Sequence, residues 1–330
     1  MMTTALKRSL AALCLWSVAA SVTASYGDHE GARQLVEELV AEERGLDRER
    51  LLQVLAQAER QEAILEAMSR PAERVKPWHE YRQIFLTRQR EQEGLEFYAT
   101  HRDTFTRAEE AFGVPAEILL AIIGVETHYG RIAGSYRVID ALATLAFDFP
   151  RRAGFFSREL KNYLILTEEQ QLDPLAMKGS YAGAMGYGQF MPSSYRAYAV
   201  DFDGDGEIDI WNNPADAIGS VANYLRRHGW RSGEAIVAAA EAGTEVPGEW
   251  FSAGLVPQRT VAELNAAGLR SAQPLEPDAR ATAIRFELED GHEYWLGLHN
   301  FYVITRYNHS AMYAMSVYQL SQRLAAGMQL

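Results

Sequence analysis

The chain has 330 residues, 48% hydrophobic and 23% charged, enough for a sizeable core and two or three domains. Its formal charge of -12 excludes the basic footprint of a nucleic-acid binder. The only cysteine is Cys14, which excludes an internal disulfide.

Residues 1–24 have the layout of an export signal. Lys7 and Arg8 form a basic start, Leu10 to Val22 is apolar and small, and Val22-Thr23-Ala24 suits cleavage after Ala24. Losing Lys7 and Arg8 takes the formal charge from -12 to -14. Cys14 follows Leu13, whereas a lipidated cysteine follows a small residue, and the hydrophobic run continues past it. The expectation is an exported, periplasmic, soluble protein rather than an outer-membrane lipoprotein. No later stretch is apolar for long enough to span a bilayer.

Leu35, Val36, Leu39 and Val40 predict a helix over Gly31–Arg44, and Asp47 is placed to cap a second over Arg48–Arg60. Glu62–Met68 reads as a third, and Pro71–Pro77 as a linker. Trp78-His79-Glu80-Tyr81-Arg82 opens a helical run leading into Gly94–Phe112. Trp78 and Tyr81 suit either a core or the flat face of a sugar-binding groove.

Gly113–Gly130 is the most informative stretch. Pro115 suits a first helical turn and Gly130 a left-handed stop. Leu119, Ile122, Ile123 and Glu126 recur at i, i+3, i+4 and i+7, which puts one carboxylate on an apolar face. Burial and the negative end of the helix dipole both raise the pKa of such a group. A carboxyl still protonated near neutrality is what a general acid needs. The plainer alternative is a Glu at the rim of the stripe, reaching to water or paired with an Arg such as Arg131.

Helices are expected over Asp140–Phe147, ended by Phe149-Pro150-Arg151-Arg152, and over Ser157–Glu168. Gly179–Ser194 carries four glycines among small and aromatic residues. It is either a bend lining a ligand groove or a tight structural crossing. Asp201, Asp203, Asp205 and Gly206 match positions 1, 3, 5 and 6 of a calcium-binding EF-hand loop, with the Glu207 carbonyl at position 7. Position 12 is Asn212 where a Glu is standard, so Asp216 is the expected closing carboxylate from a longer loop. A solvated acidic turn is the alternative. A helix then runs from Asp216 to His228. Thr282–Leu288, the Asp290-Gly291 turn and Tyr294–Leu298 predict a late β-hairpin. Ala311–Leu324 reads as a closing helix, and the polar Arg306–Ser310 segment lies where site residues tend to sit.

With these runs in hand the chain resembles the membrane-bound lytic murein transglycosylase B family. The resemblance rests on Gly124-Val125-Glu126-Thr127, Asp140–Leu145, Phe149–Arg152, Gly183–Ser194, Asp216–Tyr224 and Ile304–Ser310, spread from about Trp78 to the end. It implies a mainly α (α+β) fold. The helical lobe would span 25–105, closed by 310–330, and a lysozyme-like core 106–242 would carry an EF-hand-like calcium loop at 201–216. A small β domain at 243–299 and a return segment with closing helix at 300–330 complete the implied layout.

The implied activity cleaves the β-1,4 bond from N-acetylmuramic acid to N-acetylglucosamine in peptidoglycan and leaves a 1,6-anhydro end. Glycosidases mostly use two carboxylates; here only Glu126 is placed, which suits a reaction whose nucleophile is the sugar's own C6 hydroxyl. By resemblance Ser180 and Gln189 lie near Glu126 and the bound sugars. Tyr81, Arg151, Arg152, Tyr224, Tyr307, Asn308 and Tyr313 line the glycan groove. Asp201, Asp203, Asp205, Glu207 and Asp216 hold a structural Ca2+. The implied partners are peptidoglycan strands and cell-wall synthesis or remodelling proteins, with no organic cofactor. A lysozyme-type hydrolase and a non-catalytic peptidoglycan-binding protein are the competing readings.

Overall fold

A computed structural model describes residues 25–43, 45–69 and 76–328. The export-like segment with Cys14, and the linker residues 71–75, lie outside this set. The first lobe contains α1 (Glu30–Glu42), α2 (Arg48–Ala56) and α3 (Glu62–Ser69). Asp47 caps α2 as its position predicts, accepting from the Glu49 and Arg50 amides at 2.9 and 3.2 Å. The expected run from Trp78 to Phe112 is instead broken. A short α4 (Trp78–Tyr81) passes through a 3-10 turn, and α5 (Arg88–Phe112) starts afresh where Thr87 accepts from the Arg90 amide.

The next elements are α6 (Ala116–Thr127), β1 (Tyr136–Arg137), α7 (Val138–Phe147), α8 (Ala153–Glu169), β2 (Lys178–Gly179), α9 (Pro192–Tyr198) and α10 (Pro214–Arg227). Helix α6 is the centre of the fold and packs on α5, α10 and the last helix, α13 (Ala311–Met328). It does not present one apolar stripe. Ala116, Ile118 to Gly124 and Thr127 are all buried, so the helix is enclosed on every side. It approaches the surface at Glu117 in its first turn and at Val125 and Glu126 near its end. Its stop also differs from expectation. His128 and Tyr129 adopt left-handed φ values of 54° and 60° before Gly130 at 84°, so two non-glycine residues make the turn.

The late β unit is an antiparallel sheet of five strands. In chain order they are β3 (Val237–Ala242), β4 (Arg259–Thr260), β5 (Leu269–Ser271), β6 (Arg280–Glu287) and β7 (His292–Gly297), arranged β4-β6-β7-β3-β5. The predicted hairpin is β6–β7, with Ile284 opposite Trp295 and Gly291 at φ 82° in the turn. The sheet also takes β3 from residues ahead of the expected boundary at Gly243. Ala238, Leu269, Ala281, Ala283 and Leu296 form a small core with Val261 and Leu264 of α11 (Val261–Ala266). Ile284 and Phe286 of β6 pack into the main core instead, where Phe286 stacks on Trp78 at 4.7 Å. The return segment is a helix, α12 (His299–Tyr307), leading to α13. The fold is therefore mainly α with a small antiparallel β unit, as the resemblance implies, and a two-residue antiparallel pair of β1 with β2 besides.

Candidate active site

Glu126 lies where the enclosed helix α6 meets the surface, and α13 brings Tyr313 against it. The Tyr313 hydroxyl donates to Glu126 Oε1 at 2.7 Å. Burial pushes the Glu126 carboxyl up to about 7, and the tyrosine hydrogen bond pulls in the opposite direction without prevailing. Arg131 does not pair with it. Arg131 and His128 both pair with Glu93 of α5, so the plainer reading of Glu126 as half of a surface ion pair is overturned.

A layer of tyrosines surrounds the carboxyl. Tyr307 and Tyr313 are nearly parallel, 10° apart in plane and 6.5 Å between centroids. Tyr224 on α10 packs on Tyr307 at 4.7 Å. Tyr224 donates to the Arg306 carbonyl and Tyr307 to the Gly188 carbonyl, each at 2.6 Å. Burial, then the neighbouring Glu126 charge, raise the Tyr307 and Tyr313 hydroxyls well above their ordinary range. Both stay neutral and remain donors. Tyr81 is close enough for Glu126 to raise its hydroxyl as well, after burial. Its helix α4 is anchored by the stack of Trp78 on Phe286.

The glycine-rich segment is a tight crossing beside this layer. A Cβ at Gly188 would lie 2.7 Å from the Tyr307 hydroxyl. Gly186, at φ 67°, would place one 2.3 Å from the Ile210 carbonyl. Thr127 joins the crossing to the acid-bearing helix. Its buried hydroxyl lies 2.8 Å from the Tyr187 carbonyl and accepts from the Gly130 amide at 3.0 Å. Sequence reasoning missed this residue. The available signal was a hydroxyl at the end of an apolar helix, because such a group needs a partner once buried.

Other expected site residues have defined local contacts. Ser180 Oγ accepts from the Ala182 and Ala184 amides. Gln189 takes a left-handed φ of 50°, and its side-chain amide donates to the Ala133 and Gly186 carbonyls. Asn308 is exposed at the end of α12. Arg151 and Arg152 are exposed in a turn packed on α7 and α8, with Arg152 over the Phe155 ring at 4.5 Å. The structure does not bring this arginine pair into the network of bonds and ring contacts around Glu126.

The acidic loop has the expected turn shape. Gly204 and Gly206 are left-handed at 81° and 94°, and Asp201 accepts from the Gly204, Asp205 and Gly206 amides. Oxygens of Asp201, Asp203 and Asp205 all lie within 4.8 Å of one another. Three clustered carboxylates repel unless a cation joins them, and an all-oxygen set suits a hard ion such as Ca2+. Asp216 stands apart from this trio. It is buried in the first turn of α10, and its two oxygens accept from the Phe202 and Asp209 amides at 2.7 and 2.8 Å. Through these two amides it clamps both ends of the loop. Glu207 lines the loop with an exposed side chain.

Residues 28–322 match the transglycosylase SLT domain family. The chain belongs to this family. It is 46% identical over 309 residues to the membrane-bound lytic murein transglycosylase B of Escherichia coli strain K12, covering 91% of this chain and 84% of that one. Soluble lytic transglycosylase SltB1 of Pseudomonas aeruginosa superposes with a TM-score of 0.87 at 52% identity, covering 91% of this chain and 100% of the other. Escherichia coli lytic transglycosylase Slt35 in complex with calcium superposes at 0.84 with 44% identity, covering 92% and 96%. Among the described residues of this transglycosylase-family chain, no helix is long and apolar enough to cross a membrane.

Proposed function

We infer that the protein is a lytic transglycosylase of peptidoglycan in which Glu126 serves first as acid and then as base. The observation that carries this reading is a single carboxyl, raised to about 7 by burial, with no other carboxylate among the described residues acting on its ionisation. A neutral Glu126 donates its proton to the bridging oxygen as the bond from N-acetylmuramic acid to N-acetylglucosamine breaks. The resulting carboxylate then takes the proton of the muramic C6 hydroxyl as that oxygen closes on C1. One bond breaks, one forms, and no water is consumed. Positive charge on the ring is met by the substrate's own N-acetyl oxygen. A hydrolase would need a second carboxylate or a held water opposite Glu126.

Tyr81, Tyr224, Tyr307, Tyr313 and Asn308 line the glycan groove, while Ser180 and Gln189 shape its wall. Arg151 and Arg152 meet carboxylates of the stem peptide. The Asp201, Asp203 and Asp205 side chains and the Glu207 carbonyl hold a Ca2+ that stabilises the fold and takes no part in the chemistry. Export through a signal cleaved after Ala24 places the enzyme in the periplasm. The test of the central reading is the mass of digest products from purified peptidoglycan. Anhydro ends are one water lighter than hydrolysed ends, and products carrying that water would establish the hydrolase.

A further inference from the structure

A cavity of about 710 Å³ lies away from Glu126, between the end of α8 and the acidic loop. Its walls include Glu169, Gln170, Gln171, Lys178, Trp211 and Asn212. Trp211 is half-buried and held by two contacts. Its indole N–H donates to the Lys178 carbonyl at 3.0 Å, and its ring packs on Tyr195 at 5.7 Å. The ring is thus a fixed flat apolar surface in a cavity of mixed lining, which also includes Leu172, Met177 and Ile208.

Of the three wall carboxylates, Glu169 and Asp209 have partners, and Glu207 is exposed on the loop side. Glu169 forms two hydrogen bonds with Arg196. Asp209 accepts from the Trp211 and Asn212 amides and from the Asn212 side chain. Gln170, Gln171 and Lys178 offer side-chain donors and acceptors without protein partners among the described residues. Gln171 also sits at a left-handed φ of 54°, which a glycine would adopt at lower cost. Functional sites are where such strain is tolerated.

A rigid indole beside free carboxamides and one ammonium group suits a neutral, hydroxyl-rich ligand with an apolar face and an amide. An N-acetylated amino sugar has all three features. We propose that this cavity is a second carbohydrate site, which holds an N-acetylhexosamine unit of a glycan strand outside the catalytic groove. The inference rests on the peptidoglycan reading for its choice of ligand. Lys178 lies two residues before Ser180, so the β2 segment connects the cavity to the expected groove wall. A site here tethers a polymeric substrate while the groove cuts it.

The test is calorimetric titration of the Glu126→Gln protein with N,N′,N″-triacetylchitotriose. Two sites per chain are expected. Trp211→Ala in the same background should leave one, and Gln170→Ala with Lys178→Ala should weaken the same site at least tenfold while keeping the indole packing. In the active protein, Trp211→Ala should raise KM on intact sacculi several-fold and leave kcat on short soluble muropeptides unchanged. A single site in the parent, or two sites surviving in both variants, overturns the proposal. Failure of the parent to cut muropeptides would instead indict the catalytic reading, so the two failures are distinguishable.

Discussion

Tyr313 and Glu126 are 187 positions apart in sequence and share a 2.7 Å hydrogen bond. The bond favours the charged carboxylate, while burial favours the acid and prevails. The tyrosine therefore sets how far the acid is raised. Removing its hydroxyl in Tyr313→Phe should raise the Glu126 pKa further. A hydrogen bond to a charged group contributes about 1.5–3 kcal/mol, which corresponds to a shift on the order of one pH unit. The basic limb of kcat/KM, expected near 7 in the parent, should move upward by that much. A limb that stays in place or moves down would show that Tyr313 does not tune the acid.

Glu126→Gln should lower turnover by at least the ~10²–10⁴-fold typical of general acids while preserving glycan binding. The same variant reports on stability. The folded pKa of about 7 lies above the ordinary 4.5, so ionisation opposes folding. Below pH 4.5 both states hold the proton and Glu126 costs nothing. The penalty grows up to about 7 and is constant beyond it, on the order of 3 kcal/mol. Glu126→Gln should thus melt several degrees above the parent at pH 8 and close to it at pH 4. Equal melting at both values would mean that the carboxyl ionises freely.

The acidic loop makes its own prediction. A ligand bound only by the native state adds RT ln(1 + [L]/Kd), about 2.7 kcal/mol at a hundredfold excess over Kd. Calcium should raise the melting temperature, and a chelator should reverse the rise. Asp203→Asn should blunt the response while keeping the loop's shape. A midpoint indifferent to calcium and chelator alike would remove the metal from the account.

Thr127→Val keeps the side-chain volume and deletes the hydroxyl that lies 2.8 Å from the Tyr187 carbonyl. Leaving buried polar groups without partners costs about 1–3 kcal/mol. Chemical denaturation should show that loss. Because Thr127 follows the acid directly, kcat should fall as well. A variant as stable as the parent would mean that the glycine-rich crossing holds without this tie.

Gly188→Ala should be among the most damaging single substitutions. The added methyl would lie 2.7 Å from the Tyr307 hydroxyl, so the tyrosine layer must shift. Both stability and activity should drop, measured by melting and by release of soluble fragments from sacculi. Normal activity would show that the layer adapts freely.

Much of this molecule was legible in its sequence because the relevant physics is local. Asp47 announces its helix through its side chain, Asp290-Gly291 its hairpin through turn preference, and Glu126 its peculiarity by standing in an apolar run. Spacing alone matched Asp201, Asp203, Asp205 and Gly206 to a tight acidic loop. What lay out of reach depends on residues distant in the chain. Burial on all sides of α6 comes from α5, α10 and α13 closing around it. Strand β3 is alanine-rich and carries no alternation, so only its partners β5 and β7 make it a strand. The clamp that Asp216 makes on the loop depends on the Phe202 and Asp209 amides, which only the folded loop brings to its oxygens. The sequence by itself singled out the carboxyl that we propose as the acid. Tertiary structure decided how acidic it is, since desolvation and the Tyr313 hydroxyl exist only once the closing helix has packed against α6.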